Sequence, residues 1–217
     1  MFNFLSRLWE GPLKQRKATF ERKSKETEIK AELNIDGKGK TKIKTQIGIL
    51  DHMLELFSFH GYFDLNLDVK KADLEIDIHH TNEDVGIVLG QAFKKALGNK
   101  AGIKRFGSAF APMEDTLGQT VIDISGRGHL KINYLNSSID DKNENGYTKK
   151  YLEHFFESFA KNLGANIIIS IHNPSGSADL HTVMETVFKS FGLALDQATQ
   201  IDPRRKGAVP STKGIID

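Results

Sequence analysis

The stretch "DIHHTNEDVG", residues 77–86, puts His79 and His80 side by side, with Glu83 three residues after the second. On a helix, positions i and i+4 share a face, so His79 and Glu83 can hold one ligand while His80 points roughly 100° away. The segment also reads as an ordinary solvated helix start, with Thr81 or Asn82 near the cap and acids favoured by the helix dipole. What separates the two readings lies 102 residues further on (181 − 79), in "HTVMETVFKSFGLALDQAT", where His181 and Glu185 repeat the spacing of His79 and Glu83.

Working outward, the same offset carries other positions with it. His52 precedes His79 by 27 residues (79 − 52), and His154 precedes His181 by 27 (181 − 154). Leu54 maps onto Phe156, Phe57 onto Phe159 and Leu65 onto Ile167, so core positions follow the register as well. The chain reads as one α+β unit written twice. In the first copy, strands "ATFERKS", "TEIKAELNI" and "KTKIKTQ" precede the helix "LDHMLELFSFHG". The strand "YFDLNLDVK", a short extended "LEIDI" and the helix "HTNEDVGIVLGQAFKKALG" follow. In the second, strands "FGSAFAPM", "QTVIDIS" and "HLKINYL" precede the helix "KKYLEHFFESFAKNLG", the strand "ANIIISIH" and a last helix. The expected organisation is an N-terminal extension over 1–17, a first half over 18–103 and a second half over 104–217. Packing of the halves about a pseudo-twofold axis would face the two His-x-x-x-Glu helices toward each other, each second histidine reaching across.

At 217 residues the chain can bury a sizeable core, and 39% hydrophobic with 27% charged residues is an ordinary globular balance. Thirty basic against 28 acidic side chains give a net charge of +2, too balanced to argue for nucleic acid or an anionic membrane. The Lys/Arg run between residues 14 and 30 is interrupted by Glu21, Glu26 and Glu28. With no cysteine, any metal must rest on nitrogen and oxygen donors. The opening "MFNFLSRLWEGPLKQRK" lacks the basic and continuous apolar regions of a signal peptide and reads as a docking extension, with a short helix around Phe4, Leu5, Leu8 and Trp9. A cytoplasmic location is expected.

A helix histidine beside apolar neighbours is ordinarily a core or boundary residue, which is the plain reading of His52 or His154 alone. Met twice at equal spacing from a His-x-x-x-Glu pair, they become ligand candidates. His60, His129 and His172 have no repeat partner with a donor side chain and stay in the plain class. The donors are therefore His52, His79, His80, Glu83, His154, His181 and Glu185. Position 182 breaks the symmetry: the offset predicts a histidine opposite His80, and the chain has Thr182.

"LDHMLELFSFHG", "DIHHTNEDVG", "KRFGSAFAPMED", "DISGRG", "EHFFESF", "METVFKSFGLALDQAT", "DPRR" and "VPSTKG" together resemble the imidazoleglycerol-phosphate dehydratase family of histidine biosynthesis, in order from about Ala18 to Ile216. The resemblance implies two four-stranded sheets around a helical layer and two Mn²⁺ ions per active site. It also implies a homo-oligomer of 24 subunits with active sites at subunit interfaces. It places His79 with Glu83 on one metal, His181, Glu185 and His80 on the other, and one of His52 and His154 on each. It makes Glu26 of "KSKETEI" the acid/base group, against the plain reading of an exposed strand-edge carboxylate. It assigns Arg105, Arg127, Lys189, Ser211 and Lys213 to the substrate phosphate, the last two in a C-terminal phosphate-binding tail; read plainly, these are surface bases and a turn.

The substrate so implied is a small phosphorylated imidazole, which loses water to give imidazole acetol phosphate. The proton removed sits on a carbon with no neighbouring carbonyl, so a carboxylate base needs an electron sink, and metals flanking the imidazole would provide it. Several departures stand out. Thr182 replaces the second histidine of the second half and leaves the ion of His79 and Glu83 one ligand short. Ile78 stands where an aspartate often precedes the first His pair, Gly128-His129 replaces Pro-Tyr, and "GYTKKYLEHFF" lacks the usual acidic lead. The rival expectation is a catalytically silent paralogue kept as a metal-binding oligomeric protein.

Overall fold

The computed structural model describes residues 16–135, 138–140, 144, 146–173 and 177–216. The helix suggested around Phe4–Trp9 and part of the "SSIDDKNEN" loop lie outside them. The first half forms β1 (Lys17–Lys23), β2 (Glu28–Asn34), β3 (Thr41–Lys44), α1 (Gly48–His60), β4 (Asp64–Lys71) and α2 (His79–Leu97). The second forms β5 (Phe106–Met113), β6 (Thr116–Asp123), β7 (His129–Leu135), β8 (Ser138–Asp140), α3 (Lys149–Leu163), β9 (Asn166–His172), β10 (Ser177–Asp179) and α4 (Leu180–Thr199). A 3₁₀ turn, Pro203–Arg205, leads into the C-terminal segment.

Each half builds one four-stranded sheet, ordered β1-β2-β4-β3 and β5-β6-β9-β7. Both are antiparallel except for a parallel closing pair, β3 with β4 and β7 with β9, across which the first helix of the half crosses over. Equivalent positions expose where the copies diverge. Leu33 pairs with Leu65 in the first sheet and Ile122 with Ile167 in the second. The offset is thus 89 (122 − 33) before the β7–α3 loop and 102 (167 − 65) after it, so the second copy carries 13 extra residues (102 − 89) there. That stretch supplies β8, which pairs in parallel with β10 just ahead of α4. Neither short strand is expected from the pattern. The expected extended "LEIDI" is a turn instead.

Strand alternation turns Ile29, Ala31 and Leu33 inward and Lys30 and Glu32 outward, so one face of each sheet meets the helices. The helices form the layer between the sheets, but they pair across the halves: α2 packs on α3 and α1 on α4. The two His-x-x-x-Glu helices, α2 and α4, therefore do not face each other as expected. Small residues permit the cross-half contacts. A Cβ at Gly86 would lie 2.7 Å from the Phe155 carbonyl oxygen, and one at Gly192 2.5 Å from that of Phe57. Around these contacts Phe57, Phe63, Phe93, Phe156, Phe159 and Phe191 form the shared core, all buried and in ring contact. Each such ring contributes about 1.5–3 kcal/mol by leaving water.

Candidate active site

His79 opens α2, where the Asp77 carboxylate accepts its backbone N–H at 2.6 Å. Its Nε2 lies 3.3 Å from Glu83 Oε2, one turn on, and its ring centroid is 4.6 Å from that of His154 on α3. On the opposite pair of helices, Glu185 Oε1 lies 3.2 Å from His52 Nε2 and 3.3 Å from His181 Nε2. The His52 and His181 rings stack at 5.6 Å. Donor atoms of His52, His181 and Glu185 all fall within 4.8 Å of one another. The second group is the image of the first under the repeat. In each, the His-Glu pair of one half meets the helix histidine of the other, a direct result of the cross-half helix packing.

Glu185 sends its other oxygen to Lys189 Nζ at 2.5 Å. Burial alone would raise its pKa. The hydrogen bonds from Lys189, His52 and His181, with the Lys189 charge, outweigh that and hold it below the usual carboxylate range. Lys189, one of the expected phosphate bases, thus sits beside this donor group.

His80 turns elsewhere. Its Nδ1 donates to Asp73 at 2.7 Å, and Glu26 Oε2 is 3.8 Å from the same nitrogen. The three form a group of their own, and His80 does not join His181 and Glu185 within the chain. The hydrogen bond to Asp73 raises the His80 pKa; burial opposes it, and the charges of Glu26, Asp73 and Asp77 add to the rise. With Nδ1 committed, Nε2 is the nitrogen left to take a ligand. Asp73 is absent from the sequence-based set. The offset finds no acid at its repeat position, which holds Ser175. The usable signal was the need of a ligating imidazole for an acceptor at its other nitrogen.

Thr182 is buried, donating its N–H and hydroxyl to Asp179 at 2.8 and 2.7 Å. Within one chain it does not line the cleft of His79, Glu83 and His154. The remaining phosphate candidates fall on separate segments. Arg105, at a positive φ of 76°, grips Asp123 through Nε and Nη2 at 2.6 and 3.0 Å and reaches the Pro210 carbonyl through Nη1 at 2.9 Å. That last bond ties down the tail in which Ser211 Oγ accepts the Lys213 N–H at 3.2 Å and the Lys213 side chain is exposed. Arg127 is exposed in the turn between β6 and β7. No described helix is long and apolar enough to cross a membrane.

A sequence model of imidazoleglycerol-phosphate dehydratase matches residues 45–195. Over 201 residues the chain is 47% identical to a protein of that description from Geobacter metallireducens, covering 93% of this chain and 99% of the relative. It is 48% identical to one from a Thermoanaerobacter species, covering 93% and 100%. Among solved structures, the dehydratase from Pyrococcus furiosus in complex with (S)-C348 superposes with a TM-score of 0.75 at 35% identity, over 90% of this chain and 99% of that one. The dehydratase from Staphylococcus aureus superposes with a TM-score of 0.73 at 29% identity, over 85% and 100%.

Proposed function

The chain belongs to the imidazoleglycerol-phosphate dehydratase family and is a dehydratase of histidine biosynthesis; from that premise we propose that it works with two Mn²⁺ ions per active site, held by its two symmetry-related His/Glu groups. The observation that carries this reading is the pair of groups itself, His52, His181 and Glu185 on one side and His79, Glu83 and His154 on the other. Neutral imidazole with carboxylate, half-exposed and without thiolate, suits a divalent ion such as Mn²⁺ that keeps open positions. His80, with its Nδ1 held by Asp73, would present Nε2 to an ion, completing a site that one chain does not close alone. Bound there, the ions would supply Lewis acidity at the imidazole ring and a template for the substrate.

The chain's own residues do the rest. Glu26, in the turn next to His80, takes the proton from the carbon adjacent to the ring-attached carbinol. The hydroxyl on the ring-attached carbon takes up a proton and leaves as water, and the resulting enol becomes the ketone by gaining a proton at that carbon and releasing its O–H proton. Lys189, Arg105, Arg127, Ser211 and Lys213 receive the phosphate by charge-assisted hydrogen bonds. They lie on separate segments of one chain, which favours a site assembled from several subunits. The outer face of the second sheet favours the same, because Phe106, Phe110, Val121 and Ile168 are exposed there, whereas the first sheet turns charged residues outward. A 24-subunit homo-oligomer in the cytoplasm completes the reading. The silent-paralogue alternative is not favoured, since a scaffold has no use for Glu26 or for the phosphate bases.

The test is a dehydratase assay on protein stripped of metal and reloaded with Mn²⁺, with metal analysis alongside. Two ions per chain and activity that returns with Mn²⁺ are expected. Full activity in an intact oligomer after exhaustive metal removal would overturn the metal reading.

A further inference from the structure

Asp84 is a buried carboxylate with no part in the chemistry described above. It follows His80 by four residues, so both lie on the face of α2 that meets the β1–β2 turn. One oxygen accepts the Thr27 hydroxyl at 2.5 Å, the other Arg22 Nε at 2.8 Å. Thr27 is wholly buried and closes the turn that carries Glu26. Inside that turn Ser24 N–H donates to the Thr27 carbonyl at 2.9 Å, and Ser24 Oγ accepts the N–H groups of Glu26 and Thr27 at 3.1 and 3.0 Å. The Glu26 side chain itself is 54% exposed, so its place beside His80 is set by the turn beneath it.

We propose that Asp84 and Thr27 are positioning residues for Glu26: their hydrogen bond, one helical turn from His80, sets where the Glu26 carboxylate stands relative to that histidine. The proposal rests on the reading of Glu26 as the proton-transfer group. Such a group must reach its proton at hydrogen-bond distance, and a displacement of about 1 Å can lower turnover by about 10²-fold. Glu26 is one residue from Thr27 along the backbone, so a turn released from α2 moves it directly. The competing account is that the buried Thr27 and Asp84, with the half-exposed Arg22, only hold β1 and β2 to α2.

The experiment compares Thr27→Val, Thr27→Ser, Asp84→Asn, Glu26→Gln and the double variant Thr27→Val/Glu26→Gln as metal-loaded oligomers. It reads kcat, KM, bound metal and Tm. Expected are a kcat lower by about 10- to 100-fold in Thr27→Val, with KM and metal content within about threefold of wild type. Asp84→Asn, whose single oxygen cannot accept from both Thr27 and Arg22, should show the same split. Thr27→Ser should return kcat to within about threefold, and Thr27→Val should add no further loss in the Glu26→Gln background. A lowered Tm with unchanged kcat in Thr27→Val and Asp84→Asn, while Glu26→Gln is impaired, would overturn the positioning role and leave Glu26 in place. Wild-type turnover in Glu26→Gln would overturn the reading of Glu26, and this proposal with it. A full additional loss in the double variant would mean that the pair acts on something other than Glu26, which also overturns it.

Discussion

At position 182 the repeat predicts a ligand and the structure shows a capping partner. Thr182 gives both its N–H and its hydroxyl to Asp179, and it is 7% exposed. Thr182→His would remove the hydroxyl bond, worth about 0.5–1.5 kcal/mol, and press a larger ring into that space. We therefore expect lower thermal stability, by about 2–4 °C per kcal/mol lost, and no gain in metal retention. Tighter metal binding with unchanged Tm, read by dialysis and metal analysis, would restore Thr182 as the weak corner of a metal site. Asp73 is the opposite case, a residue the repeat does not reveal. Because it holds His80 through Nδ1, Asp73→Asn should weaken Mn²⁺ affinity or turnover by about 10- to 100-fold. A metal titration matching wild type, together with wild-type kcat, would show that His80 needs no such partner.

The elements carrying these residues depend on how their ends are made. Asp179 is the N-cap of α4, the helix that presents His181, Glu185 and Lys189. Burial would raise its pKa, but the N–H and hydroxyl of Thr182 outweigh that and leave it lowered. A carboxylate depressed by folding contributes stability that is fully present above its ordinary pKa and is lost as pH falls through the folded value. Asp179→Ala should therefore cost about 0.5–2 kcal/mol near neutral pH, and the gap from wild type should close in melts below about pH 4. A gap that stays constant down to strong acid would exclude Asp179 as the source. The helices themselves were legible from apolar spacing, each within two residues of its observed start, because an amphipathic stripe is a local property. "LEIDI" misled, since alternation over five residues occurs in turns as readily as in strands. The partner of each helix was hidden: the crossing of α2 on α3 and α1 on α4 depends on backbone approach at Gly86 and Gly192, and nothing local says what approaches. For that reason the donor types and their offset could be read in advance, while their grouping could not.

Across the whole molecule, the crossing of the halves decides which donors meet, and so which would share an ion. His52 on α1 belongs with His181 and Glu185 on α4, and His154 on α3 with His79 and Glu83 on α2, so each ion would join one half to the other. An ion that binds only the folded chain adds about 2.7 kcal/mol per site when free metal is 100 times Kd. Chelation should thus lower Tm and loosen the assembly as well as stop turnover. The grouping itself is open to a sharper test, because ligands of one ion fail together and ligands of different ions fail separately. His52→Ala and Glu185→Gln should each release one ion per chain, and the two combined should release no more than either alone. Pairing His52→Ala with Glu83→Gln should instead release both, and His154→Ala with Glu83→Gln only one. If His52→Ala with Glu83→Gln released one ion and His52→Ala with Glu185→Gln released two, the ligands would be shared within each half, and the metal would not bridge α1 to α4 at all.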